Sequence, residues 1–230
     1  MTAEQLAKLC PLGKRGQELK PLLPKLNARQ RIGSYSHTLK ALQTLLKQNV
    51  IKRDRHHNNE PYFFFLSNER FSDNFFNKHH ERACADIYVA YKTTGLMEGW
   101  DDNWKDHTKE YGLKFNLRYD RRMRYKGQTF YWELDRGQED LETIEGKVKK
   151  YQKFLNETQH IFFIIFVVES TRYKTIEERC EDITNVIASQ NTKGFQFLVA
   201  RHADVIENPL GSVFLPVNAP DQFISLDQLS

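Results

Sequence analysis

Cysteine is scarce and scattered, with Cys10, Cys84 and Cys180 the only three in 230 residues. An odd number at such separations excludes a disulfide framework and a Cys-x-x-Cys metal knuckle, and fits reduced, buried thiols. Long apolar runs are missing as well. The longest, Ile161 to Val168, falls far short of the roughly 18 residues that a membrane-spanning helix needs. The opening Met1-Thr2-Ala3-Glu4-Gln5 has neither the charged-then-apolar profile nor the cleavage site of a secretory signal, so the expectation is a cytoplasmic protein with no membrane partner. No Gly-rich phosphate loop supports use of ATP, no Ser or Cys nucleophile motif supports acyl transfer, and no internal repeat supports a solenoid. What is present, 40% apolar, 28% charged and 13% aromatic residues, excludes disorder as the main state and suffices for one large core or two small ones.

Charge is unevenly spread. Residues 1–60 hold twelve Lys and Arg against four Asp and Glu, a balance of +8, which leaves 22 basic against 26 acidic residues for the rest. A basic excess confined to one end is an electrostatic footprint for a polyanion, because each cation near a phosphate releases a condensed counterion. A solvated basic surface is the alternative.

Periodicity gives that front segment a form. From Ser34 to Asn49, Leu39, Leu42, Leu45 and Leu46 recur at helical spacing behind a serine able to cap the first turn. The opposite face offers Tyr35, Ser36, His37, Lys40, Gln43 and Lys47. Then follow a short strand from Val50, the basic, Asn-containing turn with Lys52, Arg53, Arg55, His56 and His57, and the aromatic strand Tyr62 to Leu66. Helix then basic hairpin is the order of a winged helix-turn-helix. Such a helix reaches base edges in the major groove while the hairpin touches the flanking backbone. Pro21 and Pro24 limit any helices further upstream, and winged helices also serve as protein-protein modules. The expected division is a DNA-binding domain over 1–70 and an α/β domain over 78–230.

The second domain opens with a helix from His79 to Tyr91 that stops before Thr93. Alternation of period two marks strands over Leu113–Asp120 and Thr129–Asp135, joined by the turn Lys126-Gly127-Gln128. A helix over Leu141–Leu155, the almost wholly apolar strand Ile161–Glu169, a helix over Thr175–Ser189 and a strand over Phe195–Ala200 complete an alternating order. A strand apolar on both faces belongs inside a covered sheet, so the domain is α/β with a mixed sheet.

Chemistry concentrates in Glu133-Leu134-Asp135-Arg136-Gly137. Alternation sets Glu133 and Asp135 on one face, about 6 to 7 Å apart along the strand, with Asp120 on the partner strand. Carboxylates converging at a sheet end suit a divalent ion such as Mg²⁺ acting on a phosphodiester, and Lys147 on the next helix adds positive charge. The competing reading pairs the acids with Arg136, Arg118, Arg121 or Arg122 in a structural ion network. His56-His57 and His79-His80-Glu81 are poorly disposed to share a zinc ion, since neighbouring histidines do not point at a common centre. Trp100 and Trp104 beside Asp101, Asp102 and Asp106 read as a packing clamp near an acidic loop.

The run Phe130-Tyr131-Trp132-Glu133-Leu134-Asp135-Arg136-Gly137-Gln138-Glu139, followed by Ile144, Lys147 and Tyr151, resembles the E-L-D-R-G-T-E … K … Y segment of the plasmid replication-relaxation family. The strand ending Val167-Val168-Glu169-Ser170-Thr171-Arg172 is similar to the family's next strand, residues 17–66 to its winged helix, and His80 to the His that opens its junction helix. The resemblance implies a DNA-binding protein of a plasmid, integrated element or phage that acts in replication initiation or origin processing. It also implies a restriction-endonuclease-like second domain of the PD-(D/E)XK kind, with catalytic Asp120, Glu133, Asp135 and Lys147 and metal ligands Asp120 and Glu133. Two departures argue for a degenerate nuclease: Asp135 stands where that motif has its Lys, and Tyr119 where it has Pro. Lys147-x-x-x-Tyr151 is a candidate relocation of the lysine. The alternatives are a Mg²⁺-dependent endonuclease or nickase targeted by the winged helix, and an interaction protein that recruits or blocks a host factor through an exposed apolar tail around Phe214, Leu215 and Phe223. Expected partners are double-stranded DNA, replication proteins of host or element, and a second copy in a homodimer.

Overall fold

The computed structural model describes residues 42–49, 51–54, 63–66, 75–101, 111–115, 117–158, 160–171, 174–190, 192 and 197–229. The chain divides into two units, Met1–Val89 and Ala90–Ser230.

In the first unit, residues 42–47 are helical, with Leu42 buried and Gln43 and Lys47 exposed, as an amphipathic stripe requires. Asn49, at φ 56°, ends the helix in the left-handed conformation that Asn tolerates. Strands β1 (Ile51–Asp54) and β2 (Phe63–Leu66) then pair antiparallel, with Ile51 opposite Leu66 and Asp54 opposite Phe63. In the described backbone a helical segment precedes an antiparallel strand pair, while the first part of the expected helix and the expected basic turn lie outside the described residues. Of the residues expected to meet DNA, Tyr35, Ser36, His37, Lys40, Arg55, His56 and His57 lie outside the described residues.

Helix α1 (Phe75–Thr94) runs past the expected stop before Thr93. The Thr93 and Thr94 hydroxyls donate to the Ala90 and Tyr91 carbonyls, which keeps the last turn closed until Gly95 at φ 78° releases it. Beyond it lies a mixed six-stranded sheet in the order β3 (Met97–Asp101), β4 (Arg121–Tyr125), β5 (Gln128–Asp135), β6 (Phe163–Val168), β7 (Phe197–Arg201), β8 (Leu215–Pro216). Strands β5, β6 and β7 are mutually parallel, and the remaining pairings are antiparallel. Helices α2 (Leu141–Thr158) and α3 (Ile176–Ser189) supply the crossovers, and the short α4 (His202–Glu207) follows β7.

The strand expected over Leu113–Asp120 is not one, and β4 is the following segment, Arg121–Tyr125. The turn decides this. Lys126 at φ 47° and Gly127 at φ 76° form a two-residue reversal of the primed kind, which sets Tyr125 opposite Gln128 and carries the pairing back to Arg121 opposite Trp132. At Asp120 the ladder stops and the alternation changes phase. Leu117 and Tyr119 join the core that holds Tyr131, whereas Met123 pairs with Phe130 on the other face. The apolar period upstream of Asp120 was a true sign of sidedness, but the backbone there does not pair. Strand β3 also departs from expectation, because Met-Glu-Gly-Trp-Asp looks like a loop. Trp100 and Asp101 stand in β3 opposite Met123 and Arg122, with Arg122 donating to Asp101 at 2.5 Å; Trp104, Asp102 and Asp106 lie outside the described residues.

One face of the sheet carries the main core. Ile144, Val148, Tyr151 and Leu155 from α2 and Ile183 and Ile187 from α3 close over Tyr131, Ile164, Phe166, Val168 and Val199. All six residues of β6 are buried, as its two-sided apolar composition demands. The other face holds Trp132 edge-on to Tyr91 and Phe214. Phe214 is fully buried, so it is a core residue and not part of the exposed tail surface expected from sequence; Phe223 is exposed.

Candidate functional site: an acid cluster closed by internal cations

Strand β5 ends in the motif, and Gly137 at φ 63° turns the chain away toward α2. Because the strand alternates, Tyr131, Glu133 and Asp135 share the face covered by α2 and α3. Asp140 caps α2, its carboxylate accepting the Thr143 N–H at 2.7 Å. The first two turns of α2 thereby lie over the strand end, and Lys147 and Tyr151, one turn apart, reach the same carboxylate.

Glu133 is 2% exposed. Lys147 Nζ donates to its Oε2 at 2.9 Å and Tyr151 Oη to its Oε1 at 2.5 Å. Lys147 also bridges to Glu139 at 2.9 Å. Burial pushes the Glu133 carboxyl up to about 7; Lys147 opposes that rise, the like charge of Asp120 adds to it, and the Tyr151 and Lys147 hydrogen bonds oppose it again. For Lys147 burial works downward, but Glu133, Asp120 and Glu139 together outweigh it and hold the ammonium above its ordinary value. The two partners thus differ: the glutamate is the weakly held ion and the lysine the firm one, because one carboxyl is fully buried while the ammonium is partly solvated and meets three acids. Burial, then Glu133, keeps the Tyr151 hydroxyl protonated well above its usual range, so it stays a donor.

Asp135 is closed differently. Arg179 of α3 donates from Nε to Oδ2 at 2.8 Å and from Nη2 to Oδ1 at 3.0 Å, a two-pronged pair in which both residues are buried. A further bond from Arg179 to the Glu139 carbonyl at 2.8 Å ties the loop after β5 to the same guanidinium. Arg136 turns the other way and pairs with Glu169 at 3.2 Å. Asp120, just ahead of β4, accepts the Leu134 N–H at 2.7 Å through Oδ2, so its side chain replaces a strand partner for β5.

The structure therefore brings Asp120, Glu133, Asp135 and Lys147 to the carboxyl end of β5, where sequence placed them. It corrects the pairing expected for the acids: the cations at Glu133 and Asp135 are Lys147 and Arg179, not Arg136, Arg118, Arg121 or Arg122. Arg179 and Glu139 were missed. The signal for Arg179 was available, since it stands at the helical spacing of Ile176, Ile183 and Ile187, and a lone arginine on an apolar stripe implies a buried acid.

A Mg²⁺ ion demands near-octahedral oxygen ligands. Each oxygen of Glu133 and of Asp135 already accepts a bond from the chain's own donors, and Asp120 gives one oxygen to Leu134. Among the described residues no group of three or more His, Cys, Asp or Glu could hold a metal ion. An ion at this place would have to share each carboxylate oxygen of Glu133 and Asp135 with a donor that already holds it. Among the described residues, too, no helix is long and apolar enough to cross a membrane.

No curated protein matches the chain. A family model described as replication-relaxation matches residues 1–161, well over half of the chain, and spans both the basic front segment and the motif from Asp120 to Tyr151. The chain belongs to the replication-relaxation family, which gives it a role in plasmid replication and relaxation.

Proposed function

We propose that this protein binds double-stranded DNA of a mobile element through a winged helix and acts in replication initiation or origin processing, with a nuclease-like second unit that does not cleave. The DNA half of the reading is supported by the +8 balance of residues 1–60, which lie inside the family match, and by the helix and hairpin that follow one another there. Gln43 and Lys47 are exposed on that helix. Lys52 and Arg53 stand in β1, opposite Phe65 and Phe64.

The nuclease-like half is supported by the order of α1, three antiparallel strands, α2 and the parallel strand β6, with an Asp ahead of one strand and a Glu on the next. The observation that carries the non-cleaving reading is the closure of both acids: Glu133 by Lys147 and Tyr151, Asp135 by Arg179. A carboxylate engaged in this way is a structural counter-ion rather than a ligand waiting for a metal. Relaxation of supercoiled plasmid, with Mg²⁺ or Mn²⁺ added, tests it. The expected result is duplex binding without nicking.

One observation favours a second reading, a metal-dependent nickase targeted by the winged helix. Asp135 occupies the position where the nuclease motif has its lysine, yet Lys147 from α2 reaches Glu133 at 2.9 Å and could stand in for it. Nicking that disappears in both Asp120→Ala and Glu133→Ala would establish that reading over the first.

A further inference from the structure

Outside the acid cluster, the second unit has a cleft of about 470 Å³ at the carboxyl end of β7. It is lined by residues of α3, β7, β8, α4 and the C-terminal segment, and β8 is only two residues long. One wall is apolar: Val199 and Ala200 from β7, Leu215 from β8, then Pro220 and Phe223 from the C-terminal segment. The other wall is acidic, with Glu177 and Glu181 from α3 and Asp204 from α4. Among the described residues Arg201 is the one basic residue in the lining, donating to Glu177 at 2.7 Å and to Asp204 at 2.5 Å. Among the described lining residues three acids face one cation.

Phe223 is the feature that packing does not explain. Its neighbour Ile224 is buried and bridges to the buried Phe214, which fixes the segment against the sheet, yet Phe223 itself remains 56% exposed. A large aromatic ring held in place over a cleft of ligand size, rather than folded inward, is what a binding wall requires. Catalysis is a poor use of the site: the thiol there, Cys180, is pushed up to about 12, chiefly by burial, and so is not a ready nucleophile.

We infer that this cleft is a docking site for a short segment of a protein partner that presents a Lys or Arg beside a large apolar side chain. The apolar residue packs on Phe223, Leu215 and Val199, and the cation meets Glu181 and the carboxylates that Arg201 only half neutralises. Charge complementarity selects this occupant: nucleic acid and acidic peptides are repelled by the same three acids, and a purely apolar segment would bury two carboxylates that share one arginine, with Glu181 beside them. The inference stands apart from the DNA-binding reading, because every residue in it belongs to the unit Ala90–Ser230.

The test pans a random peptide library against the full chain and then measures the enriched peptides by fluorescence anisotropy. Peptides combining Lys or Arg with Leu, Ile or Phe should dominate. Their affinity should fall about tenfold in Phe223→Ser and again in Glu181→Lys, as expected when a central contact of a small interface is removed. Both positions are at the surface of the cleft, and an unchanged circular dichroism spectrum and duplex affinity would show that the variants fold. Arg201→Gln supplies an independent arm, since freeing two carboxylates should tighten the same peptides. Enriched peptides that bind wild type and both loss variants equally, enrichment of acidic peptides, or no enrichment at all would overturn the proposal.

Discussion

Glu133 is a carboxyl whose surroundings disagree about its charge. Burial favours the neutral form and Lys147 the ion, with burial the larger effect, so the group sits at about 7. In the unfolded chain it would titrate at about 4.3. Between those values the folded state holds a proton that the unfolded state does not, so this group's contribution to stability falls as pH rises from about 4 to about 7 and is level above. The loss is on the order of 3 kcal/mol. Urea unfolding at pH 5 and pH 7.5 should show the decline in wild type and a much smaller one in Glu133→Gln; equal pH dependence would contradict it. Asp120→Asn removes a like charge, so the Glu133 carboxyl should titrate lower when followed by carbon NMR. At Asp135 the expectation concerns stability alone: Arg179→Met strands a buried carboxylate and should cost about 3–5 kcal/mol, much of it recovered when Asp135→Asn is added. The acids and Lys147 were legible in sequence because strand and helix periods set them on facing surfaces. Their partners were not, because Arg179 lies 44 positions from Asp135 and only the packing of α3 brings it near.

Helix α3 and the β4–β5 hairpin show how local chemistry fixes this frame. Thr175 and Glu178 form a reciprocal capping box at the start of α3, which places Arg179 in the first turns at a defined angle to β5. Thr175→Ala should cost about 1 kcal/mol in chemical denaturation. Gly127, at φ 76°, is required by the reversal that sets the hairpin register; Gly127→Ala should destabilise by about 1 kcal/mol through the left-handed backbone. One of the strands that sequence missed, β4, is rich in arginine, and its sidedness was hidden because Arg121 is buried where an apolar residue is expected. By contrast β6, α2 and α3 were read to within three residues at each end, since each carries a clear apolar period.

At the level of the whole molecule, charge is divided by position in the chain. The front sixty residues carry the basic excess, and the cleft beside α3 belongs to the acidic remainder. Under the two proposals, the first region would meet phosphate and the second a cationic peptide. Family membership is a property of residues 1–161; the Arg179 that closes Asp135 and the whole peptide cleft lie beyond them.

The DNA half of this account meets its most direct test in duplex affinity measured over a range of salt concentrations, for wild type and for Arg53→Ala/Arg55→Ala. Phosphate contacts predict a steep linear fall of log affinity with log salt, and a slope smaller by about two in the double variant, with weaker binding to every sequence. Affinity that does not respond to salt, or a double variant that binds as wild type does, would contradict a grip on DNA through the basic front of the chain.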